Sequence, residues 1–254
     1  MQMKMKGIIL AAGMGTRLQP LTLKFPKPLL KIQGETLLEK NIRFFNQNGI
    51  DNITIITGYM HEAFDPYVEK YGLKKIVSKV YKEKNSASSL NLARDRLNNA
   101  LIINGDILIK ENVFNYIKSD VPQIIAKKIT KGAEDGYICD ENNRIIQVIK
   151  KSTSGYGDTG MIYLTGEMAQ AVVENLPLAK DDYFWEDVVY NLIAKHSIYL
   201  TKIPNIVFEI DSIEDVLREK FLTKSDLIDW CGDDEKAIAA INKISFSTVN
   251  VKKF

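Results

Sequence analysis

The chain has 254 residues, 45% of them hydrophobic, and 34 basic against 32 acidic side chains give a formal net charge of +2. That length supports one sizeable core, or one core with a small appendage. The interspersed charges exclude a global field that would recruit nucleic acid or an anionic membrane, so any anion site must be local.

Cys139 and Cys231 are far apart in sequence and suggest neither a disulfide framework nor a CxxC metal site, which favours a reducing cytoplasm. The apolar run after Met1 to Lys6 is too short for a signal-peptide core, and no run approaches the roughly 20 apolar residues of a membrane helix.

In chain order, apolar runs at residues 7–12, 53–57, 100–103 and 123–127 read as buried strands. Helical spacing at 36–48 and 87–97 separates them. This alternation predicts an α/β fold with a mixed, mostly parallel sheet flanked by helices. After about residue 125, "DENNR" (140–144) and "TSGYGDTG" (153–160) read as turns of antiparallel hairpins laid against the parallel sheet. A helix is predicted over 181–196. "NIVFEIDSIEDVLREKFL" reads as a strand, an Asp-Ser cap with Glu214 near the third helical position, and a helix. The expected division is a main domain over 1–222 and an accessory segment over 223–254, in which "DDEKAIAAINK" forms a short amphipathic helix.

The stretch "ILAAGMGTRLQPLT" (9–22) starts as a strand and continues as a glycine loop. In an open parallel sheet, ligands lie beyond the carboxyl ends of the strands. Gly13 and Gly15 allow amide groups to approach a phosphate closely. Arg17 offers a planar bidentate donor, and Lys27, between two prolines in "FPKPLL", a mobile charge. A dinucleotide fingerprint would need glycine where Leu18 stands, and the P-loop pattern is absent. A plain glycine turn explains neither Arg17 nor Lys27.

"GIILAAGMGTRLQPLT" followed by "FPKPLLKIQGETLLEKNI" resembles the signature of the nucleotidyltransferase family, which condenses a nucleoside triphosphate with a sugar-1-phosphate or a phosphorylated small alcohol. The resemblance runs from residue 6 to about 222. Through "IITGYMHEAF", "NSASSLNLA", "YFWEDVV" and "FEIDSIEDV" it is most like the small bacterial CTP-dependent enzymes of the phosphocholine cytidylyltransferase type.

It implies a Rossmann-like sheet with a small antiparallel acceptor-binding portion and nucleotide contacts from Leu10, Ala11, Ala12, Gly13, Gly15, Thr16 and Gly105. It further implies catalytic roles for Arg17 and Lys27 and a pyrimidine pocket lined by Gly58, Tyr59, Asn85, Ser86 and Ser89. Asp106 and Asp211 lie where apolar strands run out, and in the family these positions hold the metal. Mg²⁺ suits carboxylates and phosphate oxygens. Read without the resemblance, Asp106 could be a turn residue, Asp211 a helix N-cap, and Asn85 or Ser86 simple caps.

At the acceptor site the sequence departs from its relatives. A quaternary ammonium is held by aromatic faces worth roughly 0.5–2 kcal/mol each. Where the phosphocholine enzymes carry rings, this chain has Ala87, Ser88, Asp135 and Gly136. Trp185, Tyr163 and Tyr183 remain as ring candidates. Glu186 and Asp187 match the family's acidic pair, and Lys150 or Lys151 is placed to meet the acceptor phosphate. A carboxylate in place of rings favours a primary ammonium, as in aminoethylphosphonate, phosphoethanolamine or phosphoglutamine. By analogy, an activated head group of that kind would decorate a surface polysaccharide or lipid.

The expected partners are CTP and a small phosphorylated or phosphonate acceptor, without nucleic acid or membrane; a homodimer is allowed. Two alternatives stay open. One is a sugar-1-phosphate nucleotidyltransferase, although "NSASSLN" stands where those enzymes carry a "GTAGA"-like loop. The other is a non-catalytic nucleotide-binding regulatory subunit, although such relatives tend to lose an arginine or metal acid that this chain retains.

Overall fold

The computed structural model describes residues 4–130, 132–218 and 222–243. β1 (Lys6–Ala11) ends in the glycine loop, which continues through three short 3-10 turns to the small hairpin of β2 (Lys31–Ile32) and β3 (Glu35–Thr36). Thr36 caps α1 (Leu37–Gln47): its hydroxyl accepts from Glu39 N at 3.1 Å, and Glu39 reaches back to Thr36 N at 3.2 Å. This reciprocal capping fixes the helix start within a residue of the expected position.

The chain then lays down β4 (Ile53–Thr57), α2 (Asp65–Tyr71), β5 (Lys74–Val77), α3 (Ser86–Asn91), β6 (Ala100–Asn104), β7 (Ile107–Ile109) and β8 (Gln123–Lys128). β9 (Ala133–Cys139), β10 (Ile145–Ser152) and β11 (Tyr156–Leu164) follow, then α4 (Gly166–Asn175), α5 (Trp185–Tyr190), β12 (Tyr199–Ile203), β13 (Val207–Glu209), α6 (Ile213–Arg218), α7 (Lys224–Cys231) and α8 (Glu235–Asn242).

The main sheet has the order β10-β9-β11-β6-β1-β4-β5, and β8 joins β11 to β12. β1 is parallel to β4 and β6, and β5 to β4; β11 turns the sheet antiparallel against β6, β8 and β9. β1, β4 and β6 are buried on both faces, which explains their continuous apolar runs. Strand alternation sends Ile8, Ile102 and Ile162 into the layer with Trp185, Val188 and Val189, and Ile9, Ile103 and Met161 into the layer with Ile42 and Phe45. Among the described residues no helix is long and apolar enough to cross a membrane.

Three predicted elements are shorter or different. The helix over 87–97 breaks after α3 into turns and a 3-10 segment at Arg94–Arg96. The helix over 181–196 shrinks to α5, because residues 180–183 form a turn whose Asp181 and Tyr183 carbonyls accept from Asn85 N and Ala87 N. "TSGYGDTG" is a turn only in its first half, since β11 begins at Tyr156.

The segment after 222 packs Leu227, Cys231, Ala237 and Ile241 with Leu18, Leu21, Leu30 and Ile32, beneath the glycine loop. Lys24 donates to the Cys231 carbonyl, and Phe25 meets Trp230 edge-on at 6.5 Å. The boundary at 222/223 adjoins residues 219–221, which lie outside the described residues.

Candidate active site

The loop after β1 and the ends of β6, β11 and β13 enclose one open cleft of about 1030 Å³. One side of it is the glycine loop and the strand end before it: Leu10, Ala11, Ala12, Gly13, Gly15, Thr16 and Arg17 all line it. Gly15 adopts φ +60°, and a Cβ there would come within 3.1 Å of Lys27 Cβ, so the loop closes directly onto that lysine. Gly105 N donates to Leu10 O at 2.7 Å, and a Cβ at 105 would meet the same oxygen at 2.7 Å. Gly105 therefore does not line the cleft; its close approach sets Asp106 beside the end of β1.

Lys27 is 8% exposed and spans two acids, with Nζ 2.7 Å from Asp106 Oδ2 and 2.8 Å from Asp211 Oδ1. Arg17, on an exposed side chain, reaches the same Asp211 oxygen at 3.0 Å. Burial works against the Lys27 charge, but the two carboxylates outweigh it and hold its pKa above the ordinary lysine value. Asp211 is not the cap of α6. Ser212 takes that place, accepting from Asp215 N at 3.2 Å and donating its own N–H to Asp215 at 2.9 Å. The Asp211 carboxylate is thereby left to the cleft.

Glu209 joins this pair, since strand alternation sends residues 209 and 211 to one side. One oxygen from each of Asp106, Glu209 and Asp211 lies within 4.8 Å of the others. Glu209 opens to the cleft, yet the surrounding protein desolvates its carboxyl, and with Asp106 and Asp211 beside it the pKa is pushed up to about 9. Asp106 Oδ1 is buried and accepts no hydrogen bond. Three crowded carboxylates, one with an orphaned buried oxygen, form an all-oxygen donor set that fits a hard divalent cation.

The far half of the cleft is acidic. Asp135, Asp158, Glu186 and Asp187 line it, with Lys150 Nζ between Asp135 (2.9 Å) and Asp187 (3.1 Å). Asp158 reaches the cleft because β11 slips register against β8 between Asp158 and Ile162, where Gly160 takes φ +68°. Burial pushes its carboxyl up to about 6, with the Asp135 charge adding to the effect. Glu186 is 7% exposed; burial and then the Asp158 charge push it well above the usual carboxylate range, although Asn104 Nδ2 donates to it at 3.1 Å. Beneath this pocket the Tyr137 and Tyr190 hydroxyls share a 2.8 Å hydrogen bond.

A carboxyl whose pKa rises on folding is best accommodated protonated. Its penalty is absent below the unfolded value near 4 and complete above about 6. Asp158→Asn is therefore expected to raise Tm at pH 7–8 and leave it unchanged near pH 4. A gain independent of pH in thermal melts across that range would contradict the assignment.

The structure moves several sequence-predicted residues out of the cleft. Tyr163 is fully buried at the opposite end of β11, where its hydroxyl donates to Asn99 Oδ1 and to Ser119 O, so it cannot meet an acceptor. The Trp185 ring is also fully buried; its Nε1 donates to Asn104 Oδ1 at 2.9 Å and so orients the amide that faces Glu186. Gly58 and Tyr59 stand behind the loop. Tyr59 N donates to Ala12 O and its hydroxyl to Thr22 O, while a Cβ at 58 would press on Tyr81 at 2.8 Å.

Tyr81 itself lines the cleft, next to Asn85, Ser86 and Ser89. Ser86 Oγ accepts from Trp185 N, and Ser89 donates to Ser78. Phe184, an exposed ring, also lines the cleft. Sequence reasoning missed Tyr81, Asn104, Asp158, Phe184 and Glu209. Alternation within a strand would have signalled Asn104 and Glu209, two residues before Asp106 and Asp211; nothing local marks Tyr81 or Phe184.

A family model described as nucleotidyl transferase matches residues 6–203, and the chain belongs to that family. It is 30% identical over 230 residues to a choline-phosphate cytidylyltransferase of Streptococcus pneumoniae, covering 87% of this chain and 100% of that protein. It is 27% identical over 223 residues to a 2-aminoethylphosphonate cytidylyltransferase of Lancefieldella rimae, covering 84% and 91%. The solved structure of the CTP:phosphocholine cytidylyltransferase from Streptococcus pneumoniae matches with a TM-score of 0.81 at 28% identity, over 86% of this chain and 98% of that one.

Proposed function

We propose that the protein transfers CMP from CTP to a small acceptor carrying a phosphate or phosphonate and a primary ammonium, with release of pyrophosphate. One observation carries the reading. A single cleft joins an anion-binding glycine loop, a lysine and arginine on a three-carboxylate cluster, and a pocket lined by four further acids. The first two suit a triphosphate with its cation, and the last suits an ammonium.

The loop amides, Arg17 and Lys27 hold the triphosphate. Asp106, Asp211 and Glu209 would hold Mg²⁺, which when bound supplies neutralisation of the triphosphate charge. The acceptor oxygen, already ionised near neutral pH, forms its bond to the α-phosphorus as the bond to pyrophosphate breaks, so no general base is needed. Catalysis rests on positioning and on charge stabilisation by Arg17 and Lys27.

The acceptor phosphate falls to Lys151 in place of Lys150, whose Nζ points instead to Asp135 and Asp187 in the ammonium half of the cleft. Lys151 lines the cleft at φ +53°, a conformation that side chains other than glycine seldom adopt, and has no ion pair among the described residues. Tyr81, Asn85, Ser86 and Ser89 supply the neutral polar wall that a pyrimidine requires.

Pyrophosphate release should therefore be greatest with CTP and aminoethylphosphonate, phosphoethanolamine or phosphoglutamine, less with phosphocholine, and slight with ATP, UTP or glucose-1-phosphate. Preference for glucose-1-phosphate would overturn the acceptor class.

A further inference from the structure

Lys150 is a cation in a pocket suited to a different cation. It leaves β10 directly opposite Asp135 on β9 and carries Nζ between the Asp135 and Asp187 carboxylates, 5.2 Å above the Tyr190 ring. Carboxylates on two sides and an aromatic face on a third are the surroundings that hold an alkylammonium. The fit is incomplete. Asp135 is 8% exposed, and its Oδ1, although 2.9 Å from Nζ, accepts no properly directed hydrogen bond. Asp158 Oδ1, buried at the same cleft, accepts none either. Two residues that line the cleft thus each carry a buried carboxylate oxygen without the donor such an atom normally finds. The Lys150 side chain is meanwhile 62% exposed, so its tip alone anchors it.

We propose that Lys150 is a built-in occupant of the acceptor's ammonium pocket, and that a primary ammonium on the acceptor replaces its Nζ between Asp135 and Asp187. This rests on reading the far half of the cleft as an acceptor site. A primary ammonium brings three N–H donors from the cleft side and can satisfy Asp135 Oδ1, which Lys150 leaves without a directed hydrogen bond. A trimethylammonium has no donor, so displacing Lys150 would exchange charge-assisted hydrogen bonding for methyl contact. Lys150 thereby sets a threshold that a primary amine passes and a quaternary one does not. It is a specificity-determining residue, and its exposed stem lets it swing aside at little cost.

The test is the KM for aminoethylphosphonate and for phosphocholine, at saturating CTP and Mg²⁺, in the wild type and Lys150→Met. Removing the occupant is expected to lower the aminoethylphosphonate KM about threefold to tenfold, the scale of one exchanged hydrogen bond, and to narrow the gap between the two acceptors. The KM for CTP should not move. An aminoethylphosphonate KM that rises or stays the same would overturn the inference.

Failure of the transfer reading looks different, because the wild type would then release no pyrophosphate with any acceptor. NMR of protein labelled with ¹⁵N-lysine decides the inference without turnover. The Lys150 ammonium resonance should shift with aminoethylphosphonate and not with ethylphosphonate, which lacks the amine; equal response to both, or to neither, overturns it.

Discussion

Lys27→Met is expected to lower kcat by about two to three orders of magnitude, the loss typical of removing one preorganised charge from the place where transition-state charge develops. The same change should separate stability with and without metal. Lys27 Nζ lies within 2.8 Å of both Asp106 and Asp211, and Glu209 completes an acidic cluster that the lysine neutralises. Removing one partner of a buried ion pair leaves its charges uncompensated, at up to about 3–5 kcal/mol. These acids are partly open to the cleft, which brings the expectation down to about 1–3 kcal/mol. At roughly 2–4 °C per kcal/mol, Tm in chelator should fall by several degrees. Saturating Mg²⁺ should restore most of it, because a cation bound only by the folded state stabilises that state. Thermal melts with and without Mg²⁺ check this; full activity in the variant would remove Lys27 from the catalytic group.

Asp106→Asn is expected to reduce kcat/KM at least as strongly, by about 10³-fold, since the several kcal/mol that a bound cation contributes depend on its ligands. Its stability signature should differ from that of Lys27→Met in the response to the cation. A neutral amide in place of the Asp106 carboxylate takes one partner from Lys27 but leaves it Asp211, so Tm in chelator should fall by no more than in Lys27→Met, and the gain on adding Mg²⁺ should shrink. A variant with normal turnover and a normal Mg²⁺-dependent gain would show that Asp106 is not a metal ligand. The opposite response of the two variants to Mg²⁺ is what separates a neutralising lysine from a coordinating carboxylate.

The parallel half of the fold was legible because β1, β4 and β6 are buried on both faces and announce themselves as apolar runs. The antiparallel half was less so. Asp158 lies between Gly157 and Gly160 in a segment that reads as a turn, and only the slipped register of β11 against β8 turns it into the cleft. The glycine loop, Lys27, Asp106 and Asp211 come together as neighbours, since strand ends and a long ordered motif locate them.

The rings were misplaced for a physical reason. Tyr163 and Trp185 lie in apolar segments whose burial sequence alone cannot assign to the cleft or to the layer behind it, and both fill the core. Lys150 and Asp135 were both named without their pairing, because the ion pair is made across β9 and β10 and depends on register.

The most direct test of cytidylyl transfer in this cleft is to incubate the protein with CTP, Mg²⁺ and aminoethylphosphonate carrying ¹⁸O in its phosphonate oxygens, and to weigh the products by mass spectrometry. The account predicts a CMP-linked aminoethylphosphonate that retains all of the label, together with unlabelled pyrophosphate, as required if the acceptor oxygen attacks the α-phosphorus. The absence of any acceptor-dependent nucleotide product, or label in the released pyrophosphate, would contradict it.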